Sequence, residues 1–124
     1  MLPRDPEDWP NVFAQHLNAG DLDKVISLYE PDARFVAPSG ETLIGRDRIG
    51  EVIAGLIRSN TKMKGRVLRA TRIDDLALLY SDFDVTSVDG SGKPVKFPSK
   101  AIEVLRRQAD GTWKLIIGDP NARG

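Results

Sequence analysis

Apolar residues recur at helical spacing in the first half of the chain and alternate with polar ones in the second, so the pattern predicts helices first and long strands afterwards. Trp9, Val12, Phe13, His16 and Leu17 form one helical face behind an Asp5-Pro6 start, where Asp can cap and Pro suits the first turn. The stretch from Leu17 to Pro38 then turns a corner. Gly20 can take the left-handed conformation that closes a helix, and Asp21 can accept a hydrogen bond from the free N–H groups opening the next. Leu22, Val25, Ile26 and Tyr29 continue at helical spacing until Pro31-Asp32 stops them, and Ala33 to Ala37 alternates as a strand does. A third helix follows Gly45, with Ile49, Val52, Ile53, Leu56 and Ile57 on one face and Arg46, Arg48 and Arg58 more exposed.

Beyond Lys62 four strands are expected: Lys62 to Ile73, Leu76 to Val88, Val95 to Gln108, and Trp113 to Asp119. The breaks between them, Asp74-Asp75, Asp89-Gly90-Ser91-Gly92 and Ala109-Asp110-Gly111, carry the turn chemistry of antiparallel hairpins. Helices followed by a meander argue for an α+β domain over residues 1–124, one curved, mainly antiparallel sheet with three N-terminal helices on its concave side. Alternation assigns the faces. Val95, Phe97, Ala101 and Leu105 share the apolar parity of their strand, and Glu103 shares it too, so unless a bulge intervenes this acid points inward. In the last strand Trp113, Leu115 and Ile117 point together and Asp119 continues the inward set.

Composition removes several classes of function. The chain has 124 residues, room for one domain with a real core, and its 18 Lys plus Arg equal its 18 Asp plus Glu. No net field recruits nucleic acid or an anionic membrane, so neither partner is expected. The absence of cysteine removes disulfides, thiolate nucleophiles and Cys-based zinc sites, and suits a reducing compartment such as the cytoplasm. Residues 1–8 have no apolar core like a signal peptide's, and no run reaches membrane-spanning length. One histidine with scattered carboxylates makes no transition-metal signature and no nucleotide motif appears, so neither metal nor cofactor is expected.

The order of elements, with Leu17–Pro38, Ile44–Ile49 and Asp110–Asn121 carrying the match, resembles the SnoaL-like and ketosteroid-isomerase-like branch of the NTF2-like superfamily. The closing WKLIIGDPN is similar to small stand-alone proteins of the DUF4440 type. The resemblance implies a cone-shaped, cystatin-like α+β domain with a hydrophobic pocket that commonly dimerises. Its relatives include isomerases, polyketide cyclases, epoxide hydrolases, dehydratases and non-catalytic binding modules, so fold alone does not name a reaction.

Carried over position by position, the resemblance loses most of the known chemistry. The aspartate base of the steroid isomerases falls on Ala37, which takes no proton, and their oxyanion-binding tyrosine falls on Phe13, which donates no hydrogen bond. Their protonated carboxylic acid matches Glu103. The limonene-epoxide-hydrolase pattern of Arg and Asp two residues apart finds Ala101 and Glu103, so its arginine is missing. The candidate catalytic residues are therefore Glu103, His16 and Asp119, and the expected ligand contacts are Phe13, Phe35, Ala37, Phe97, Ala101 and Trp113.

Each candidate has a plain structural reading beside the chemical one. Glu103 can carry a proton near neutrality, or be a buried acid bonded to Arg69, His16 or a backbone group. His16 can pair with Glu103, or rest in the core on a backbone carbonyl; Asp119 can line the pocket mouth, or form a turn before Pro120. Asp82, Asp84 and Thr86 read as a solvated or dimer-facing surface, Arg66, Arg69 and Arg72 as an exposed strand, and Gly90-Ser91-Gly92 as a hairpin tip. Three functions stay open: a cofactor-independent isomerase, cyclase or dehydratase acting on an apolar, polycyclic or polyketide-like molecule; a non-catalytic ligand-binding domain; and a dimeric association domain pairing through Ile102, Val104 and Ile116. A homodimer is expected under all three.

Overall fold

The structure is a computed structural model that describes residues 2–124, leaving Met1 outside. A single 3-10 turn, Pro6–Asp8, precedes helix α1, Trp9–Asn18, so the α-helix opens three residues after the proline expected to start it. Trp9, Phe13 and Leu17 are buried at successive turns, and the Trp9 and Phe13 rings stack with centroids 5.3 Å apart. The corner forms as its residues dictate. Gly20 takes φ +71°, its N–H donates to Leu17 O, the Asp21 N–H donates to His16 O, and the Asp21 carboxylate accepts from the Lys24 N–H that opens α2, Leu22–Ile26.

Tyr29 corrects the helical pattern: α2 stops at Ile26 and Tyr29 begins strand β1, Tyr29–Val36. Sheet pairing overrides the local periodicity there. Leu28 O already accepts from the Leu115 N–H at 2.8 Å and from the Trp9 indole at 3.1 Å, and Tyr29 lies opposite Leu115. Pro31, which has no N–H to give, falls where the β1 pairing shifts register between Tyr29 and Arg34. A short strand that the pattern did not announce, β2, Thr42–Ile44, pairs antiparallel to β1 and leads through Gly45 (φ +92°) into α3, Arg46–Arg58. Ile49 and Ile53 of α3 are buried, and Arg46 reaches back to Tyr29 O.

The remaining strands are β3, Lys62–Ile73; β4, Leu76–Val88; β5, Pro94–Arg107; and β6, Trp113–Asp119, within a residue of the expected bounds. All six lie in one curved sheet of order β2-β1-β6-β5-β4-β3, antiparallel except for β1 against β6. The inward face, carrying Leu79, Phe83 and Val85 of β4, Ala101 and Leu105 of β5 and Leu115 of β6, packs with Trp9, Phe13, Leu17, Ile49 and Ile53 in one core.

The expected face of β6 needs correction. Register slips between the Leu105–Leu115 and Val104–Ile117 pairs, so one extra residue bulges and alternation reverses beyond it. Ile117 therefore stands 45% exposed on the outer face, Gly118 takes the inward place opposite Glu103, and Asp119 pairs with the outward Ile102. A second bulge in β3, between Val67 and Arg69, leaves Leu68 half exposed. Among the described residues no helix is long and apolar enough to cross a membrane.

Candidate functional site

Between the helices and the inward face of the sheet lies a cavity of about 200 Å³. Its walls are almost wholly apolar: Trp9 and Phe13 come from α1, Val52, Ile53 and Leu56 from α3, and Phe83 and Val85 from β4. The inward parity of β5 delivers Ser99, Ala101 and Glu103 to the same space. Gly118, opposite Glu103, brings no side chain, and the Leu115 side chain packs against it, 3.1 Å from where a Cβ would stand. Exposed Phe97, Pro38 and Asn121 mark the mouth.

Glu103 is 4% exposed, and its Oε1 accepts a 2.6 Å hydrogen bond from the Ser81 hydroxyl of the neighbouring strand. Burial pushes its carboxyl up from the ordinary 4.5 to about 7, against the opposing pull of the Ser81 hydrogen bond and the Arg123 charge. Tyr29 lines the same cavity from β1, and burial, with the negative charge of Glu103 next, keeps its phenol protonated well above the ordinary range. The wall thus holds one acid poised to give or take a proton at neutral pH and one phenol that keeps its own.

The structure brings Phe13, Phe35, Phe97, Ala101 and Asp119 to the cavity with Glu103. Asp119 sits at its mouth with Oδ1 accepting from the Asn121 N–H at 3.1 Å, a turn-forming contact, and its register faces it away from Glu103. His16 is not among the lining residues; it is half-buried with Val12 on the stripe of α1 beside the Trp9–Phe13 stripe that faces the cavity. Trp113 is buried outside the cavity, with the Arg72 guanidinium 5.1 Å from its ring centre. Ala37 lies past the end of β1, its backbone closing a turn with Gly40 and Glu41, while the adjacent Pro38 lines the mouth.

The partner of Glu103 is neither Arg69, which stands near the Tyr80 ring at 6.0 Å, nor His16, but Ser81. Ser81 shares the parity of Phe83 and Val85, so its inward direction was readable, whereas its meeting with Glu103 depends on the β4–β5 register. Trp9 was legible as a face residue, while Tyr29 was hidden by its place in a helical pattern. Asp82 on the outer face pairs with Arg66 and Arg123. Among the described residues no three His, Asp or Glu side chains cluster as metal ligands would.

A family model described as a SnoaL-like domain matches residues 11–116. No curated protein matches the chain. A solved ketosteroid isomerase-like protein from Erwinia carotovora atroseptica aligns over 91% of this chain and 89% of its own at 20% identity, with a TM-score of 0.79. A protein named as a candidate calcium/calmodulin-dependent protein kinase II association domain from Xanthomonas campestris covers 100% of this chain and 94% of its own at 23% identity, with a TM-score of 0.76. One named as a candidate dehydratase of the NTF2-like family from Streptomyces avermitilis covers 90% and 88% at 22% identity, with a TM-score of 0.74. At these identities the likeness is one of fold: the cystatin-like, NTF2-like α+β architecture.

Proposed function

The chain belongs to the SnoaL-like domain family, and from that membership and the acid in its pocket we propose that it binds a small apolar molecule bearing an oxygen acceptor and moves a proton on it. The observation that carries this reading is Glu103, buried in an apolar cavity with its carboxyl raised to about 7. In its neutral form Glu103 donates to a carbonyl or hydroxyl oxygen, and in its ionised form it takes a proton back, the demand made by isomerisation, cyclisation or dehydration. The Tyr29 phenol is the second donor available to that oxygen, doing from β1 what Phe13 cannot do from α1. Phe13, Phe35, Phe97 and Ala101 supply apolar contact, and residues 1–124 act as one domain. An apolar cavity of about 150 Å³ takes up benzene, so about 200 Å³ suits a one- or two-ring ligand.

The test uses 2-naphthol and its oxygen-free counterpart naphthalene, titrated against the fluorescence of the two buried tryptophans, of which Trp9 lines the cavity. Naphthol is expected to bind about tenfold tighter, the worth of one net hydrogen bond, and Glu103→Leu with Tyr29→Phe, which leaves no donor at either position, is expected to erase the difference. Equal affinities in the unaltered protein would sink the reading. Binding without turnover of any enone or hydroxy ketone offered would leave the pocket as a ligand-binding module.

The likeness to an association domain and one surface feature support a homodimer as well. Leu78, Val104 and Ile117 stand side by side across β4, β5 and β6 on the outer face, with Tyr80 and Ile102 in the next row. The apolar strip expected from Ile102, Val104 and Ile116 is thus completed by Ile117, because of the bulge in β6.

A further inference from the structure

Beyond Asp119 the chain leaves β6 in a turn that stays against β5. The Ser99 hydroxyl donates to Pro120 O at 2.6 Å, and the Arg123 N–H donates to Lys100 O at 3.2 Å. Pro120 and Asn121 therefore become one side of the pocket mouth. The Arg123 side chain then crosses to the neighbouring strand. One terminal nitrogen donates to Ser81 O at 2.9 Å and to Asp82 Oδ1 at 2.7 Å, Nε donates to Ala101 O at 3.3 Å, and the guanidinium lies 5.4 Å from the Tyr80 ring centre.

These acceptors belong to the acid's own support. Ser81 and Ala101 face each other across the β4–β5 ladder, Ser81 holds Glu103 through its hydroxyl, and Ala101 is two residues from Glu103 on the same strand. A planar fork that ties both carbonyls fixes the strands where the Ser81–Glu103 bond is made, which a flexible ammonium cannot do equally well. We infer that Arg123 is a positioning residue for Glu103: it fastens the Pro120–Asn121 side of the mouth to β4 and β5 and holds those strands where Ser81 meets the acid. The inference rests on Glu103 as the proton-carrying group, yet its test needs no ligand.

The groups that bear on the Glu103 proton are few. Tyr29 faces it from β1 and the Arg123 charge acts on it from its place on Asp82 and the Ser81 and Ala101 carbonyls, while α1, α3, β3 and β4 present Trp9, Phe13, Ile53, Met63, Phe83 and the hydroxyl of Ser81, with Asp119 turned to Asn121 at the mouth. Carbon-13 NMR of the Glu103 carboxyl, assigned by its loss in Glu103→Gln, reads the titration; amide exchange of residues 100–101, 119 and 121–123 reads the mouth. In Arg123→Gln the Glu103 midpoint is expected to rise by about half a pH unit or more, because a positive charge beside the carboxylate is gone, and exchange at Arg123 to quicken by about tenfold, as one stabilising contact of about 1.4 kcal/mol is lost. Arg123→Lys is expected to restore most of the midpoint but not the slow exchange, since its three N–H donors sit on one nitrogen and cannot span acceptors that Arg123 meets from two. An unchanged midpoint in folded Arg123→Gln, or the Lys variant matching the unaltered protein in both readouts, would overturn the inference and leave the naphthol result standing. A shifted midpoint in a protein that shows no preference for naphthol would do the reverse.

Discussion

Replacing Glu103 by Gln should make the protein less sensitive to pH, and the size of the effect follows from how deeply the acid is buried. Gln keeps the shape and an oxygen that can accept from Ser81, but it has no proton to lose. In the unaltered protein the folded carboxyl holds its proton up to about pH 7, whereas the unfolded chain loses it near 4.5. Between those values the folded state binds the extra proton, so stability is full below pH 4.5 and falls as pH rises towards 7. At about 1.4 kcal/mol per pH unit the whole interval costs about 3 kcal/mol, a large share of the 5–15 kcal/mol that holds an ordinary domain together. The assay is urea denaturation followed by the fluorescence of buried Trp9 and Trp113, from pH 4 to 8, on both proteins. Asp82, Asp89 and Asp110 have carboxyls held below their ordinary range by hydrogen bonds from Arg123, Ser91 and Thr112, and their acid-side contributions cancel in the comparison. The two proteins should be of similar stability at pH 4.5, with the Gln variant ahead by about 3 kcal/mol at pH 8. A difference that does not change with pH would refute the argument that burial governs this acid.

Gly65 on β3 faces the Phe83 ring, and a Cβ there would lie 2.7 Å from Cε1, so Gly65→Ala should cost about 1–3 kcal/mol in the same denaturation assay and weaken naphthol binding by pressing the ring into the pocket. Arg46→Ala removes the guanidinium that two of its nitrogens use to hold Tyr29 O; loss of about 1–3 kcal/mol is expected, with faster amide exchange along β1. Val104→Lys places a charge in the middle of the Leu78–Val104–Ile117 row and should turn a dimer mass into a monomer mass by native mass spectrometry, while a dimer that persists would remove this face as the interface.

Strand bounds from Lys62 onward and the helix corner were legible because their signals are local. Asp74-Asp75 and Gly20-Asp21 impose turns through their own backbone and side-chain chemistry, wherever the rest of the chain lies. The end of α2 was not legible, since Leu22, Val25, Ile26 and Tyr29 fit a helix equally well until Leu28 is captured by Leu115 and Trp9. Parity arguments held along β5, where alternation runs unbroken from Ser99 to Leu105, and failed in β6, where one bulged residue reversed Ile117 and Asp119. The acid Glu103 stood out because it interrupts an apolar parity. Its support did not, because Ser81 meets it through lateral register and Arg123 binds the Ser81 carbonyl from a segment beyond the last strand, neither of which leaves a periodic trace.

The polar groups left in the pocket restrict what it can hold. Ala37 lies outside the cavity and Phe13 offers only a ring, so Glu103 and Tyr29 supply the polar contacts away from the mouth, while the Ser81 hydroxyl is spent on Glu103. The nearest cation, Arg123, is committed to Asp82 and to the carbonyls of Ser81 and Ala101. A ligand carboxylate would enter apolar surroundings without a counter-charge and meet an acid that ionises near neutrality, so it loses hydration and gains repulsion. 2-Naphthoate should therefore bind at least about tenfold more weakly than 2-naphthol at pH 8, a penalty of about 1.4 kcal/mol or more, and the gap should narrow below pH 6 as Glu103 takes up its proton. Naphthoate binding as tightly as naphthol at pH 8 would mean that Arg123 or another cation turns into the cavity, and the pocket would then be an anion site.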